Sequence, residues 1–132
     1  MNISKRSFLA LILTFAMVFG SSCKKDEEKN VNFLGTYNVV ESCGLGGDDN
    51  YQITIVEGDA EDEIVIENFY NFPVAEVKAN TIGNEIDIAL QSFNSAVTFE
   101  GSGSLSDDIL TITFTVEEGG LTDNCTIVAT KP

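Results

Sequence analysis

The amino-acid sequence predicts an all-β domain made of eight short antiparallel strands. Apolar and polar residues alternate with period two in Tyr51–Ile55, Ile86–Leu90 and Leu110–Val116, and this alternation is typical of strands with one buried face. Clusters of Gly, Asn, Asp, Ser and Pro lie between the apolar runs and predict turns. Many short strands separated by regularly spaced turns are typical of a sandwich or a barrel.

The predicted elements follow one another through residues 33–132, which are long enough for a single domain. The strands are predicted at Thr36–Ser42, Tyr51–Ile55, Glu63–Phe69, Val74–Ala79, Ile86–Leu90, Ala96–Gly101, Leu110–Val116 and Cys125–Thr130. The connections are predicted at Cys43–Asn50, Gly58–Asp62, Tyr70–Pro73, Asn80–Asn84, Ser92–Ser95, Ser102–Asp107 and Glu117–Asp123. Such short connections favour an up-and-down order in which each strand pairs with the next.

Residues 1–22 have the organisation of a bacterial signal peptide. Lys5 and Arg6 precede an uncharged run of 13 residues, Phe8–Gly20, which is shorter than the roughly 20 apolar residues that a membrane-spanning helix needs. The Gly-Ser-Ser tripeptide before Cys23 resembles the lipobox of bacterial lipoproteins, with Gly20 in place of the usual large aliphatic residue. The resemblance implies cleavage before Cys23 and lipid on its thiol. An ordinary secretory signal with an incidental cysteine is the alternative.

A charged segment joins this cysteine to the domain. Residues 23–32 contain the run Lys24–Asn30, which has no apolar residue and predicts a flexible linker. Its lysines and acidic residues also resemble the tag that routes some Gram-negative lipoproteins to the outer leaflet of the outer membrane. This resemblance implies a lipid-anchored protein at the cell surface. The periplasmic face is the alternative, and the run has no sorting meaning if it is only a linker.

The predicted domain is strongly acidic. Lys78 and Lys131 are its only basic residues, against 18 acidic ones, so that residues 33–132 have a formal charge of −16. Nucleic acid binding requires lysine and arginine to neutralise phosphates, so we expect no nucleic acid partner. The surface also repels anionic membranes, which leaves the lipid on Cys23 as the predicted membrane contact. A net charge of this size favours a soluble monomer.

Cys43 and Cys125 remain as an even pair once Cys23 is lipidated. In an oxidising compartment such a pair predicts a disulfide. The alternative is a pair of metal ligands, but the chain has no histidine and no second thiol pair to complete a zinc site. We therefore expect no metal and no cofactor. A bond between the first and last predicted strands favours a closed barrel, although a sandwich that pairs the same two strands would also allow it.

The start of the first predicted strand carries a family resemblance. Asn32-Phe-Leu-Gly-Thr-Tyr-Asn-Val39 is similar to the Gly-X-Trp motif of the lipocalin-like (calycin) group, with Gly35 in place and Tyr37 for the tryptophan. The chain also resembles small lipocalin-like lipoproteins that start Gly-Thr-Tyr and end in a Cys-Thr strand. The resemblance implies an eight-stranded up-and-down barrel. No arginine is present to cover the barrel bottom, as one does in lipocalins.

Strand alternation and strand direction predict which residues face inward and which end could hold a ligand. The inward positions are predicted to be Ile53, Ile55, Ile64, Ile66, Val77, Ile86, Ile88, Val97, Phe99, Leu110, Ile112, Phe114 and Ile127. The membrane tether enters the first strand at Phe33, so a solvent-facing mouth is expected at the opposite end. The candidate mouth residues are Asp48, Asp49, Tyr70, Phe72, Phe93, Glu117 and Asp123. The three aromatic residues among them could instead be lids over a filled core.

Most chemistry is excluded by composition. Without histidine there is no Ser-His-Asp or Cys-His machinery. The acidic runs Gly46–Asn50 and Glu57–Glu63 lack the spacing of a calcium-binding loop, although their oxygens could ligate calcium. We expect a protein that is not an enzyme. It would be a binding module for a small apolar or glycan-like ligand, or an interaction lipoprotein with a filled core that presents an acidic β-surface to a protein partner.

The lipobox-like sequence predicts the behaviour of one variant. Cys23→Ala removes the acylated thiol, so the protein should move from the membrane and detergent fraction to the soluble fraction, as measured by fractionation and immunoblotting. A variant that stays membrane-bound and uncleaved would contradict lipidation and identify the apolar run as the anchor.

Overall fold

Eight antiparallel strands close into one barrel in the computed structural model, which describes residues 32–132. Each strand pairs with the next in the chain, and the last pairs with the first. The strands are β1 (Gly35–Cys43), β2 (Gly47–Glu57), β3 (Glu63–Glu67), β4 (Glu76–Ile82), β5 (Glu85–Phe93), β6 (Val97–Ser106), β7 (Ile109–Glu118) and β8 (Leu121–Thr130). The predicted up-and-down barrel is therefore confirmed, and the alternative sandwich is wrong.

The predicted strands are all present, but several connections are shorter than expected. The predicted loop Ser102–Asp107 is wrong for most of its length, because β6 continues to Ser106. The Glu117–Asp123 loop likewise shrinks to the turn between Glu118 and Leu121. Two-residue hairpins commonly have left-handed backbone at both turn residues. Gly119 and Gly120 adopt it, and Asp107 and Asp108 adopt it with φ of 50° and 64°.

Bulky side chains from all eight strands fill the barrel. Every predicted inward position is buried. The core also contains Phe69, which lies on a short 3-10 turn (Phe69–Asn71) between β3 and β4 rather than on a strand. The Phe69 ring packs 5.2 Å from that of Phe99 and 4.7 Å from that of Phe114, centroid to centroid. The prediction that β3 extends to Phe69 is therefore wrong.

Two glycines let the barrel bend at β6. Gly101 and Gly103 occupy inward positions, and a Cβ on Gly103 would lie 2.6 Å from the carbonyl oxygen of Thr111. Opposite them, β5 has a bulge between Ile88 and Gln91. The side-chain amide of Gln91 donates to the carbonyl of Lys78 at 2.8 Å and accepts from its N–H at 2.9 Å. Glycines and a bulge are the usual means of turning a barrel corner, and the Gln91 amide replaces main-chain pairing at that corner.

The barrel bottom is covered without an arginine. The buried Tyr37 hydroxyl donates to the carbonyl of Phe33 at 2.8 Å. The Lys131 ammonium lies 5.3 Å from the centre of the Tyr37 ring and donates to the carbonyl of Asn32 at 2.9 Å. Burial, helped by the charge of Asp108, raises the pKa of Tyr37 to about 12. Lys131 and Tyr37 therefore close the end of the barrel at which the chain enters.

A disulfide joins the first strand to the last. Cys43 and Cys125 are direct partners in the β1–β8 register, and their Cα atoms are 4.1 Å apart. Both side chains are buried on the core side. The predicted bond is confirmed, as is its position at the end of the barrel opposite the chain entry.

Removing this bond should lower stability sharply. Replacing Cys43 and Cys125 together by alanine opens a loop whose ends are 82 residues apart, so the unfolded chain gains conformational entropy. The chain-entropy model assigns about 4–5 kcal/mol of folding stability to closing a loop of that length. The melting temperature, followed by circular dichroism, should fall by many degrees, and reductant should lower it in the parent but not in the variant. Two free thiols in the exported parent protein, detected by non-reducing mass spectrometry, would contradict the bond.

Candidate binding site at the distal end

The two ends of the barrel differ in their connections. The chain enters at Asn32 at the proximal end, which also carries the β2–β3, β4–β5 and β6–β7 turns. The distal end carries the other four connections and the disulfide. All seven residues of the predicted ligand mouth lie at the distal end. They are Asp48 and Asp49 on β2, Tyr70 and Phe72 between β3 and β4, Phe93 on β5, Glu117 on β7 and Asp123 on β8.

The β3–β4 connection has an unfavourable backbone. Asn68, Tyr70 and Asn71 have φ of 62°, 57° and 55°, and the left-handed region is disfavoured for residues other than glycine. The conformation is held by the Asn68 side chain, which donates to the carbonyl of Gln52 at 2.7 Å, and by main-chain bonds such as Asn68 to Ala75 at 3.0 Å. Strained backbone that its surroundings hold in place is concentrated at functional sites.

Three half-buried aromatic side chains, Tyr70, Phe72 and Phe93, cover the distal opening, and we call them the aromatic cap. The Tyr70 ring packs 5.8 Å from Phe99 and 6.0 Å from Phe114 in the core. Phe72 contacts the Tyr70 ring at 5.4 Å and stacks on Phe93 at 6.0 Å with an angle of 26°. The cap therefore lies as a lid over the core while part of each ring stays accessible.

The carboxylates of the predicted mouth have different surroundings. Asp123 is almost buried and accepts the amides of Leu45 and Gly46, each at 2.9 Å. Burial alone would raise the pKa of Asp123, but bonds from backbone amides outweigh it and leave the pKa lowered. Asp49 accepts from the Asn71 amide at 2.9 Å. Asp123 therefore holds the β1–β2 turn against the barrel, and Asp49 holds the β3–β4 connection. The side chains of Asp48 and Glu117 are exposed.

A buried carboxylate, Glu41, lies beneath the cap and was missing from the sequence-based candidates. Its side chain points into the barrel from β1 and is 4% exposed. The Tyr51 hydroxyl donates to it at 2.5 Å. Burial raises the pKa of Glu41; the Tyr51 bond lowers it, and the charges of Asp49 and Asp123 raise it further. The strand alternation that places Val39 and Cys43 inward also places Glu41 inward, so the sequence did indicate that this carboxylate points into the barrel.

No lysine of the described residues is bonded to Glu41. Lys78 pairs with Asp59 and Glu63 at 3.7 and 4.0 Å, on the other side of the barrel. Lys131 covers Tyr37 at the proximal end. Tyr70 faces the same acidic surroundings, since burial and then the charges of Glu41, Asp123 and Glu118 raise its pKa. The distal end of the described domain is therefore uniformly negative.

An open groove lies at the proximal end and has a volume of about 700 Å³. It is formed where the entering chain passes the β2–β3 turn, and its lining includes Phe33, Leu34, Glu57, Asp59, Glu61 and Glu63. The sequence placed the ligand mouth at the opposite end and gave no indication of this groove, because it depends on the path of the chain before β1.

Three possible metal ligands come close together at the distal end. Cys43, Asp123 and Cys125 bring their ligand atoms within 4.8 Å of one another, but both sulfurs belong to the disulfide and are not thiolates. Among residues 32–132 no helix is long and apolar enough to cross a bilayer. Cys23 lies outside the described part of the chain, so its lipidation stays a prediction.

Comparisons with protein-family models, curated proteins and solved structures found no match.

The buried Glu41 should make stability depend on pH. Because the folded pKa is raised, its favourable contribution is present below the unfolded pKa, about 4.3, and is lost as pH rises through the folded value. Glu41→Gln keeps an acceptor for Tyr51 and has no charge to bury. The variant should melt higher than the parent at neutral pH, and the difference should vanish at about pH 4.

The control for this measurement is Glu117→Gln, at an exposed acid of the same end. Asp123, whose lowered pKa acts in the opposite direction, is present in parent and variants, so the difference reports Glu41 together with its coupling to Asp123. A Glu41→Gln variant with the parent's melting temperature across this range would contradict a buried, uncompensated carboxylate.

Proposed function

We propose that the protein is a lipid-anchored, non-catalytic binding module whose partner contacts the outside of the distal end. One observation supports this most: the barrel interior is filled by core side chains and closed by the aromatic cap. Eight strands enclose room for side chains or for one small ligand, and a ligand inside this barrel would have to displace the cap and several core residues. Binding on the outside requires no such rearrangement.

The anchor and the distal end lie at opposite ends of the molecule under this proposal. Lipid on Cys23 would hold the protein through residues 23–32, which span at most about 35 Å when fully extended. The chain joins the barrel at the proximal end, so the distal end would face away from the membrane. We propose the outer membrane, at the cell surface, as its location. The periplasmic face is the alternative, and the sorting tag alone supports the choice.

A protein partner fits the distal surface best. Leu45 and Val74 lie in two distal connections, Leu121 is the first residue of β8, and the three are 71%, 73% and 70% exposed. They lie at the same end as the aromatic cap and are accompanied by the exposed acids Asp48 and Glu117. Exposed apolar groups that cluster at one site and are bordered by polar residues are typical of protein interaction surfaces. The partner would not need to enter the barrel.

A small apolar or glycan-like ligand is the second candidate. It is favoured by the nearly parallel rings of Phe72 and Phe93, which present a partly accessible aromatic surface. Small-molecule sites are usually concave, however, and bury most of the ligand. A cap formed by side chains that pack downward on the core offers less of such a cavity.

Site-specific photocrosslinking of the full chain in cells tests the proposal. Val74 at the distal end and Ile82 at the proximal end are 73% and 74% exposed, so a photoreactive side chain at either position has the same access to solvent. Position 74 should give a discrete cross-linked product, and position 82 should not. A large mass increase identifies a protein partner, and a small one identifies the second candidate.

Two results would contradict binding at the distal end. One is the absence of any product at position 74 in cells that express the folded, exported protein. The other is the same set of products from positions 74 and 82, which would indicate random collisions. Cross-linking at position 82 alone would move the binding surface to the proximal groove.

A further inference from the structure

Charge is distributed unevenly around the outside of the barrel. The outward positions of β3, β4 and β5 include the charged residues Glu63, Glu67, Glu76, Lys78, Glu85 and Asp87. The outward positions of β7, β8, β1 and β2 have Glu117 and Asp48 near the distal end as their only charged residues. One side of a strongly acidic domain is therefore free of charge along most of its length.

We call this side the neutral face. Its outward residues are Ile109, Thr111, Thr113 and Thr115 on β7; Thr122, Asn124, Thr126, Val128 and Thr130 on β8; Thr36, Asn38, Val40 and Ser42 on β1; and Asn50, Gln52, Thr54 and Val56 on β2. Near its middle, Val40 and Val128 are direct partners across the β1–β8 pair. They are 58% and 42% exposed, so the strands that close the barrel present an apolar centre to solvent.

Polar side chains on the neutral face bond to one another. Gln52 donates to Asn38 at 2.8 Å, Thr115 donates to Asn124 at 3.1 Å, and the hydroxyls of Thr36 and Thr54 are 3.4 Å apart. Covering these three pairs would leave fewer donors without partners than covering unpaired side chains, and the six side chains have already lost part of their freedom. Both effects lower the free-energy cost of forming a contact.

We propose that the neutral face pairs with the neutral face of a second copy of this chain. Each domain has a formal charge of −16, so most approaches of two copies bring carboxylates together and are repulsive. Contact through the neutral face places the charged outer surfaces of β3–β5 on the far sides of both copies. A two-fold axis near Val40 and Val128 would bring these two apolar pairs together, as a self-complementary interface requires.

The size of the face indicates weak pairing. Four strands spaced about 4.8 Å apart, each running for seven to nine residues across the face, cover roughly 500 Å² per copy. Stable interfaces bury about 800 Å² per partner. The protein should therefore be a monomer in dilute solution, as its composition predicts, and pair where its copies are concentrated. The contribution of the membrane to that concentration rests on the proposed lipid anchor.

Thiol cross-linking of the full chain in isolated membranes tests the pairing. Packed sheets lie about 10 Å apart, so a bismaleimide of about that reach should join two copies of a Val40→Cys variant. Ile82→Cys is the control, because it replaces an exposed aliphatic residue on the charged side of the barrel. The parent chain reports any reaction of its own cysteines, and thermal melting confirms that each variant is folded.

The expected result is a covalent dimer from Val40→Cys and none above the parent level from Ile82→Cys. Raising the salt concentration should increase the dimer, because screening weakens the repulsion between the acidic domains. Adding Val128→Asp to Val40→Cys should abolish it, since two carboxylates would then meet at the centre of the interface.

Three results would overturn the pairing: equal yields from the two cysteine variants, a product with a different protein in place of the dimer, or a yield that falls as salt rises. Position 40 is on the side of the barrel and position 74 is at its distal end, so this proposal and the proposed function can fail separately.

Discussion

The pairing of the first strand with the last is the constraint on which the rest of the structure depends. Six consecutive residue pairs, from Asn38–Thr130 to Cys43–Cys125, remove the two edges that an open sheet would expose. The closure is reinforced at both ends, by the disulfide distally and by Lys131 over the Tyr37 ring proximally. Closure gives the inward side chains one shared interior, and it gathers three connections at the proximal end and four at the distal end, where residues distant in sequence meet.

The architecture and the core could be predicted because the pleat of a strand has a period of two. This period identifies every predicted inward residue from Ile53 to Ile127, and it can be recognised in one strand without knowing which strands lie beside it. Strand lengths could not be predicted in the same way. Gly103 favours a turn by its propensity and lay in the predicted Ser102–Asp107 loop, whereas in the barrel it is required, with Gly101, where β6 passes close to β7. Local propensity and long-range geometry gave opposite answers there, and geometry determined the structure.

The candidate site was predictable in its location and not in the roles of its residues. Up-and-down order determines which connections lie at the same end of the barrel. This was enough to predict that Tyr70, Phe72 and Phe93 lie at one end. It could not show that Phe69 rather than a strand residue fills the space beneath them, nor that Asp123 holds the β1–β2 turn through its amides. The role of Glu41 depends on Tyr51 and on carboxylates of other strands, so strand parity alone showed only that it points inward.

The distal end combines several features that lower stability without helping the barrel to close. A buried carboxylate without a cation costs free energy, left-handed backbone at Tyr70 and its neighbours adds strain, and Leu45, Val74 and Leu121 leave apolar surface in water. All of these features cost stability, and a partner that covered the end would offset the last of them. The neutral face lies on the side of the barrel, and its apolar centre at Val40 and Val128 lies between this end and the chain entry. The proposed anchoring, partner binding and pairing of copies would therefore use three separate surfaces and could occur at the same time.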